Sequence, residues 1–133
     1  MAQTTSITPG KLVAENAAVS VAVAGTTELL DLLVEGINEV GIEIVVTVNN
    51  LDAFQVHGKV SKDSTYQVLY SAAGDYTTPV GLIIGTSGDL TAQAAATTGW
   101  IFLDVSPLYG LKIMASAVTG AATVTARAIG KAT

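Results

Sequence analysis

Three runs near the end of the chain decide the fold: Gly99-Trp100-Ile101-Phe102-Leu103-Asp104-Val105, then Leu111-Lys112-Ile113-Met114-Ala115-Ser116, then Thr123-Val124-Thr125-Ala126-Arg127-Ala128-Ile129. In each run two sets of residues alternate, Trp100, Phe102 and Asp104 against Ile101, Leu103 and Val105 in the first. Side chains two apart on a strand share a face, so this period describes strands with one packed and one wetter face. Ser106-Pro107 and Thr119-Gly120 break the runs, and the reading is three strands in series, a meander.

Composition bounds what such a sheet can do. Half of the 133 residues are apolar and 13% are charged, against a usual charged share of about 25%. A surface so poor in charge leaves apolar side chains outside, and contiguous exposed apolar surface marks a partner interface. The net charge is −5, and the six basic residues are scattered from Lys11 to Lys131 rather than clustered, which argues against a nucleic-acid partner. There is no cysteine, so disulfides and thiolate chemistry are excluded. The first residues, Met1 to Ile7, have neither the charged nor the apolar region of a signal peptide. No apolar run approaches the roughly 20 residues that span a bilayer. The expectation is a soluble protein made in the cytoplasm, with no membrane partner.

Working outward, Leu12 to Ala24 reads as a strand ended by Gly25-Thr26. Thr27 to Asn38 is ambiguous: Glu28, Asp31, Glu35 and Glu39 oppose Leu29, Leu30, Leu33 and Ile37 at helical spacing, but Gly36 and the β setting favour a strand. Val40, Ile42, Ile44, Val46 and Val48 alternate cleanly, as do Phe54, Val56, Gly58 and Val60. With the Asn49-Asn50-Leu51-Asp52 turn between them they read as a hairpin. Ser61-Lys62-Asp63-Ser64 turns into a strand with Tyr66, Val68 and Tyr70 on one side. Ser71 to Pro79 reads as a polar loop, Gly81 to Gly85 as a short buried strand, and Leu90 to Thr98 as a loop or short edge strand. About eight to ten strands at this spacing give an all-β, single-domain antiparallel β-sandwich, jelly-roll or Greek-key-like, over residues 12–133. Residues 1–11, polar and closed by Pro9-Gly10, read as a flexible N-terminal arm. The alternative is an arm that orders only against a neighbouring subunit; on that alternative Thr4, Thr5, Ile7 and Pro9 are the candidate partner-binding residues.

No set of residues carries chemistry. His57 is the sole histidine, and one imidazole supplies one ligand where metal sites need several. Gly85-Thr86-Ser87-Gly88-Asp89 matches neither a Walker loop nor a dinucleotide fingerprint. The carboxylates from Glu28 to Glu43 read as a solvated face, and Asn49, Asn50 and Asp52 lack the spacing of a calcium loop. Trp100, Tyr66, Tyr70, Tyr76 and Tyr109 could stack a sugar, but the alternation of Trp100 and Phe102 reads as core. No catalytic residue, metal or cofactor is expected.

Asn49-Asn50-Leu51-Asp52-Ala53-Phe54, Thr65-Tyr66-Gln67-Val68-Leu69-Tyr70 and Gly99 to Val105 together resemble the small, acidic, Ala/Thr-rich β-proteins among tailed-bacteriophage structural genes, and above all capsid decoration (cement) proteins. The resemblance spans about Val40 to Ile129 and is one of style rather than of a fixed motif. It implies a non-enzymatic virion protein on the capsid exterior, made in the host cytoplasm. Such a protein binds the major capsid protein in assembled shells and staples neighbouring capsomers as a homotrimer. The alternatives are a tail or fibre module that binds carbohydrate or a receptor, and a small jelly-roll hydrolase built around His57.

Overall fold

A computed structural model describes residues 3–23, 25–49, 51–71, 83–86, 97–117 and 120–132. Ten strands run through them: β1 (Thr4–Thr8), β2 (Lys11–Val21), β3 (Thr27–Leu33), β4 (Glu39–Val48), β5 (Leu51–Lys59), β6 (Gln67–Ser71), β7 (Ile83–Thr86), β8 (Thr97–Asp104), β9 (Gly110–Ala117) and β10 (Ala122–Lys131). They form a six-stranded sheet in the order β1-β2-β10-β4-β8-β7 and a four-stranded sheet in the order β3-β9-β5-β6. Every pairing is antiparallel. The two sheets pack face to face around one core, as the alternation predicts: a single-domain β-sandwich. Of the loop read over 71–79, Ser71 is the last residue of β6; the rest of it and most of the stretch from Leu90 lie outside the described residues.

Pairing differs from the sequence reading. β4 belongs to the larger sheet and β5 to the smaller, so they are not a hairpin; Asn49, with φ at 57°, turns the chain across the sandwich instead. The three runs of the opening paragraph likewise alternate between larger, smaller and larger sheet rather than forming a meander. Alternation fixes which side chains point inward; it carries no information on which strand lies alongside. β5–β6 and β1–β2 are true hairpins.

The core is filled from both inner faces. Ile42, Ile44 and Val46 of β4, Ile101 and Leu103 of β8 and Val124 of β10 meet Phe54, Val56, Leu111 and Ile113 of the smaller sheet. Phe54 is the largest wholly buried side chain, and its ring lies 5.4 Å from that of Tyr70. Burying a side chain of this kind contributes about 1.5–3 kcal/mol.

Two bulges explain where the sequence pattern was hardest to read. In β2 the register against β10 slips after Asn16, Ala18 takes a φ of 53°, and its N–H donates to Thr125 Oγ1 at 3.1 Å. The inward set therefore changes from Leu12, Ala14 and Asn16 to Val19 and Val21. In β3 the register against β9 slips between Glu28 and Leu30. Leu29 and Leu30 consequently both point inward, which imitates helical spacing on a strand. The carbonyl of bulged Leu29 accepts a 2.9 Å hydrogen bond from Nδ2 of Asn16, the one polar side chain buried among the described residues.

Thr4–Thr8, which the sequence reads as part of a flexible arm, form edge strand β1, paired residue for residue with Lys11–Glu15. Pro9-Gly10 is the hairpin turn, with Gly10 at a φ of 73°. The side chain of Gln3 then clamps the free edge of the smaller sheet. Its Oε1 accepts from Asp31 N–H and its Nε2 donates to Asp31 C=O, both at 2.8 Å. An amide side chain thereby takes the place of a missing neighbour strand, which is the physical reason this stretch belongs to the domain.

Candidate functional site

The outer face of the larger sheet is where surface and chemistry coincide. Its four central strands align outward-facing residues into rows, set by the pairing register. The first row reads Lys11, Lys131, Glu39, Asp104 from β2 through β10 and β4 to β8. The second reads Val13, Ile129, Gly41, Phe102, and the third Glu15, Arg127, Glu43, Trp100. A fourth, neutral row contains Thr125, Val45 and Thr98.

The second row is an apolar stripe between two charged ones. Val13 is 40% exposed, Ile129 50%, Phe102 47% and Trp100, on the adjoining row, 41%. Gly41 leaves a gap in the stripe: a Cβ there would sit 3.4 Å from the Phe102 ring. The result is a shallow concavity of about 990 Å³ centred on β4 and floored by Gly41, Glu43 and Ile129. Trp100 and Phe102, expected in the core, are corrected to this face. Their strand alternates as read, but Ile101 and Leu103 are the inward set.

Arg127 spans the third row. Its Nε donates to Glu15 Oε2 at 2.6 Å and its Nη1 to Glu43 Oε1 at 3.0 Å. Those bonds, Glu15 first and then Glu43, raise its pKa further above the usual guanidinium value. At the end of the first row, the hydroxyl and N–H of Ser106 donate to Asp104 Oδ1 at 2.6 and 2.9 Å, and hold that carboxyl below its ordinary range. Hydrogen bonds thus hold the charges of Glu15, Arg127, Glu43 and Asp104 in a defined order on this face.

The other predicted residues lie elsewhere. Thr4, Thr5, Ile7 and Pro9 sit along β1 and its turn, all exposed. Ile7 and Pro9 border a second groove, of about 430 Å³, with Leu33 and Ile37 across from them. Thr5 accepts from Gln3 Nε2 at 2.9 Å, so it supports the clamp on Asp31. Sequence reasoning singled out this edge and not the sheet face, because exposure of Trp100 and Phe102 depends on which of two alternating sets turns inward.

His57 stands on the outer face of the smaller sheet, opposite Lys112 in register, and its Nε2–H donates to Gln55 Oε1 at 2.8 Å. Partial burial, then the charge of Lys112, lower its pKa. Nearby, Lys59 and Lys112 lie 4.8 and 4.5 Å from the centre of the Tyr66 ring, and Lys112 pairs with Glu28 at 3.3 Å. The Tyr66 hydroxyl donates to Asp31 Oδ1 at 3.2 Å. Burial and then the Asp31 charge push the phenol up to about 12. Among the described residues, no group of three or more His, Cys, Asp or Glu is placed to hold a metal ion, and no helix is long and apolar enough to cross a membrane.

Fold and surface together define a class: an antiparallel β-sandwich with one core between its sheets and a separate, patterned outer sheet face. No protein-family model matches the chain, and no curated protein matches it. Among solved structures it is similar to the SPBc2 prophage-derived protein YomS, with a TM-score of 0.50 and 12% identity over 93% of this chain and 98% of that one. At that identity the likeness is one of fold.

Proposed function

We propose that this protein is a non-enzymatic structural component of a bacteriophage virion. In this reading it binds the outer surface of the assembled capsid, self-associates, and stabilises the shell by bridging neighbouring capsomers. The observation that carries the proposal is the pair of apolar surfaces left outside the core: the Val13–Ile129–Phe102 stripe and the Ile7–Leu33 groove. A bridging protein needs two separate contacts, one for its own kind and one for the shell. The β1 edge suits the shell contact. Its outer edge has no partner strand among the described residues, and strand edges template docking to other chains. The phage-derived fold neighbour and the resemblance of the sequence to decoration proteins agree with this choice of partner.

Co-sedimentation with expanded empty shells tests it. The protein should pellet with assembled shells and stay in solution with unassembled shell subunits. Binding to neither, or to both equally, would exclude attachment to an assembled surface.

A second reading has one observation behind it. Trp100 and Phe102 project side by side from β8 beside hydrogen-bonding charges, an arrangement that also suits stacking on sugar rings in a tail or fibre module. It requires thermal stabilisation by a glycan, lost on replacing Trp100, with no retention on shells.

A further inference from the structure

The outer face of the larger sheet complements itself. We infer that two copies of this chain pack through it, about a two-fold axis parallel to the strands that passes between β10 and β4. Such an axis keeps each row in place and reverses the strand order within it. The first row then sets Lys131 against Glu39 of the second copy and Lys11 against its Asp104. In the second row Ile129 falls on the gap at Gly41, and Val13 on Phe102. In the third, Arg127 meets Glu43, and Trp100 meets Glu15, whose carboxylate is the acceptor a covered indole N–H requires. Each relation holds twice by symmetry, as an isologous contact demands.

The charge order selects this axis over the other available one. A two-fold perpendicular to the strands would exchange the first and third rows. It would bring Lys131 onto Arg127 and Glu39 onto Glu43, like on like. Only the parallel axis satisfies both charged rows while seating an apolar knob in an apolar hole. The central pairs (Lys131 with Glu39, Ile129 with Gly41, Arg127 with Glu43) flank the axis, where the twist between packed sheets displaces residues least. Four strands spaced ~4.8 Å apart and four outward rows give a face of about 500 Å² per copy, or about 1,000 Å² once both sides are counted, which reaches the size of a specific interface. Gly41 has an evident role on this account: any larger residue would fill the seat of Ile129.

The inference shares with the proposed function only the premise of self-association. It replaces the three-fold arrangement implied by the resemblance with a two-fold one, which would present two β1 edges per assembly. Light scattering coupled to size exclusion tests it without any shell, so its failure leaves shell binding standing. The wild-type protein should run at twice its 13.5 kDa chain mass. Lys131→Glu and Glu39→Lys, each alone, place like charges across the axis and should run as single chains. An equimolar mixture of the two variants should recover the double mass, because one charge of each unlike pair is now supplied by each partner. Repulsion within one chain cannot produce that rescue. Gly41→Val, which adds bulk on the outer face beside the Phe102 ring, should also run as a single chain with the circular dichroism of the wild type. A wild-type protein of single or triple mass would overturn the inference, as would a mixture that stays monomeric.

Discussion

Replacing Phe102 by alanine separates a surface role from a core role in one experiment. A phenylalanine in a closed core costs about 3–5 kcal/mol when truncated, because transfer and cavity terms add. Phe102 is 47% exposed and its ring lies over Gly41 on an open face, so no closed cavity forms. Half of a full burial term of ~1.5–3 kcal/mol leaves about 1 kcal/mol. Phe54→Ala is the internal standard, since that ring is wholly buried and packed 5.4 Å from Tyr70; its cost should be about 3–5 kcal/mol. Urea unfolding of both variants at high dilution, with unchanged slope, reads the difference directly. A self-associating wild type gains a concentration-dependent midpoint by mass action, and Phe102→Ala should remove that dependence while Phe54→Ala keeps it. Equal costs for the two truncations would refute the placement of Phe102 outside the core.

Other consequences are open to simple measurements. Asn16→Ala strands the Leu29 carbonyl at the β3 bulge and should cost about 1–3 kcal/mol in the same unfolding assay; a neutral outcome would show that the bulge does not need this bond. Tyr66 should ionise near pH 12, and a Tyr66→Phe variant should lack that late phase in an alkaline absorbance titration. Because its folded pKa is raised, its contribution to stability is present below pH about 10 and lost as pH rises toward 12. Gly58→Ala should disturb the β5–β6 hairpin, since a Cβ there would stand 2.6 Å from Leu69 Cδ1 and 3.2 Å from Leu108; a lowered melting temperature checks it.

The sequence made the sandwich legible because alternation is a local signal. Ile42, Ile44 and Val46, or Ile101 and Leu103, declare their face without any knowledge of their neighbours. Strand partners are not local, so β4 and β5 looked like a hairpin although they sit in different sheets. The Thr27–Asn38 ambiguity arose from a single bulge that turns Leu29 and Leu30 inward together. The sheet-face site was hidden for a related reason. Its order of charges exists only across strands, joining Lys11, Lys131, Glu39 and Asp104 from four distant parts of the chain. By contrast the Thr4–Pro9 stretch could be singled out as one edge because it is contiguous, although Gln3 and the hairpin tie it to the domain rather than leaving it free.

The lone tryptophan reports on the central claim, that the patterned face is made to be covered. Emission of Trp100 should shift to shorter wavelength as protein concentration rises, with quencher access falling over the same range in which scattering shows mass doubling. Emission that stays at a solvent-exposed position, equally quenchable while the mass doubles, would contradict it, because association would then leave this face wet.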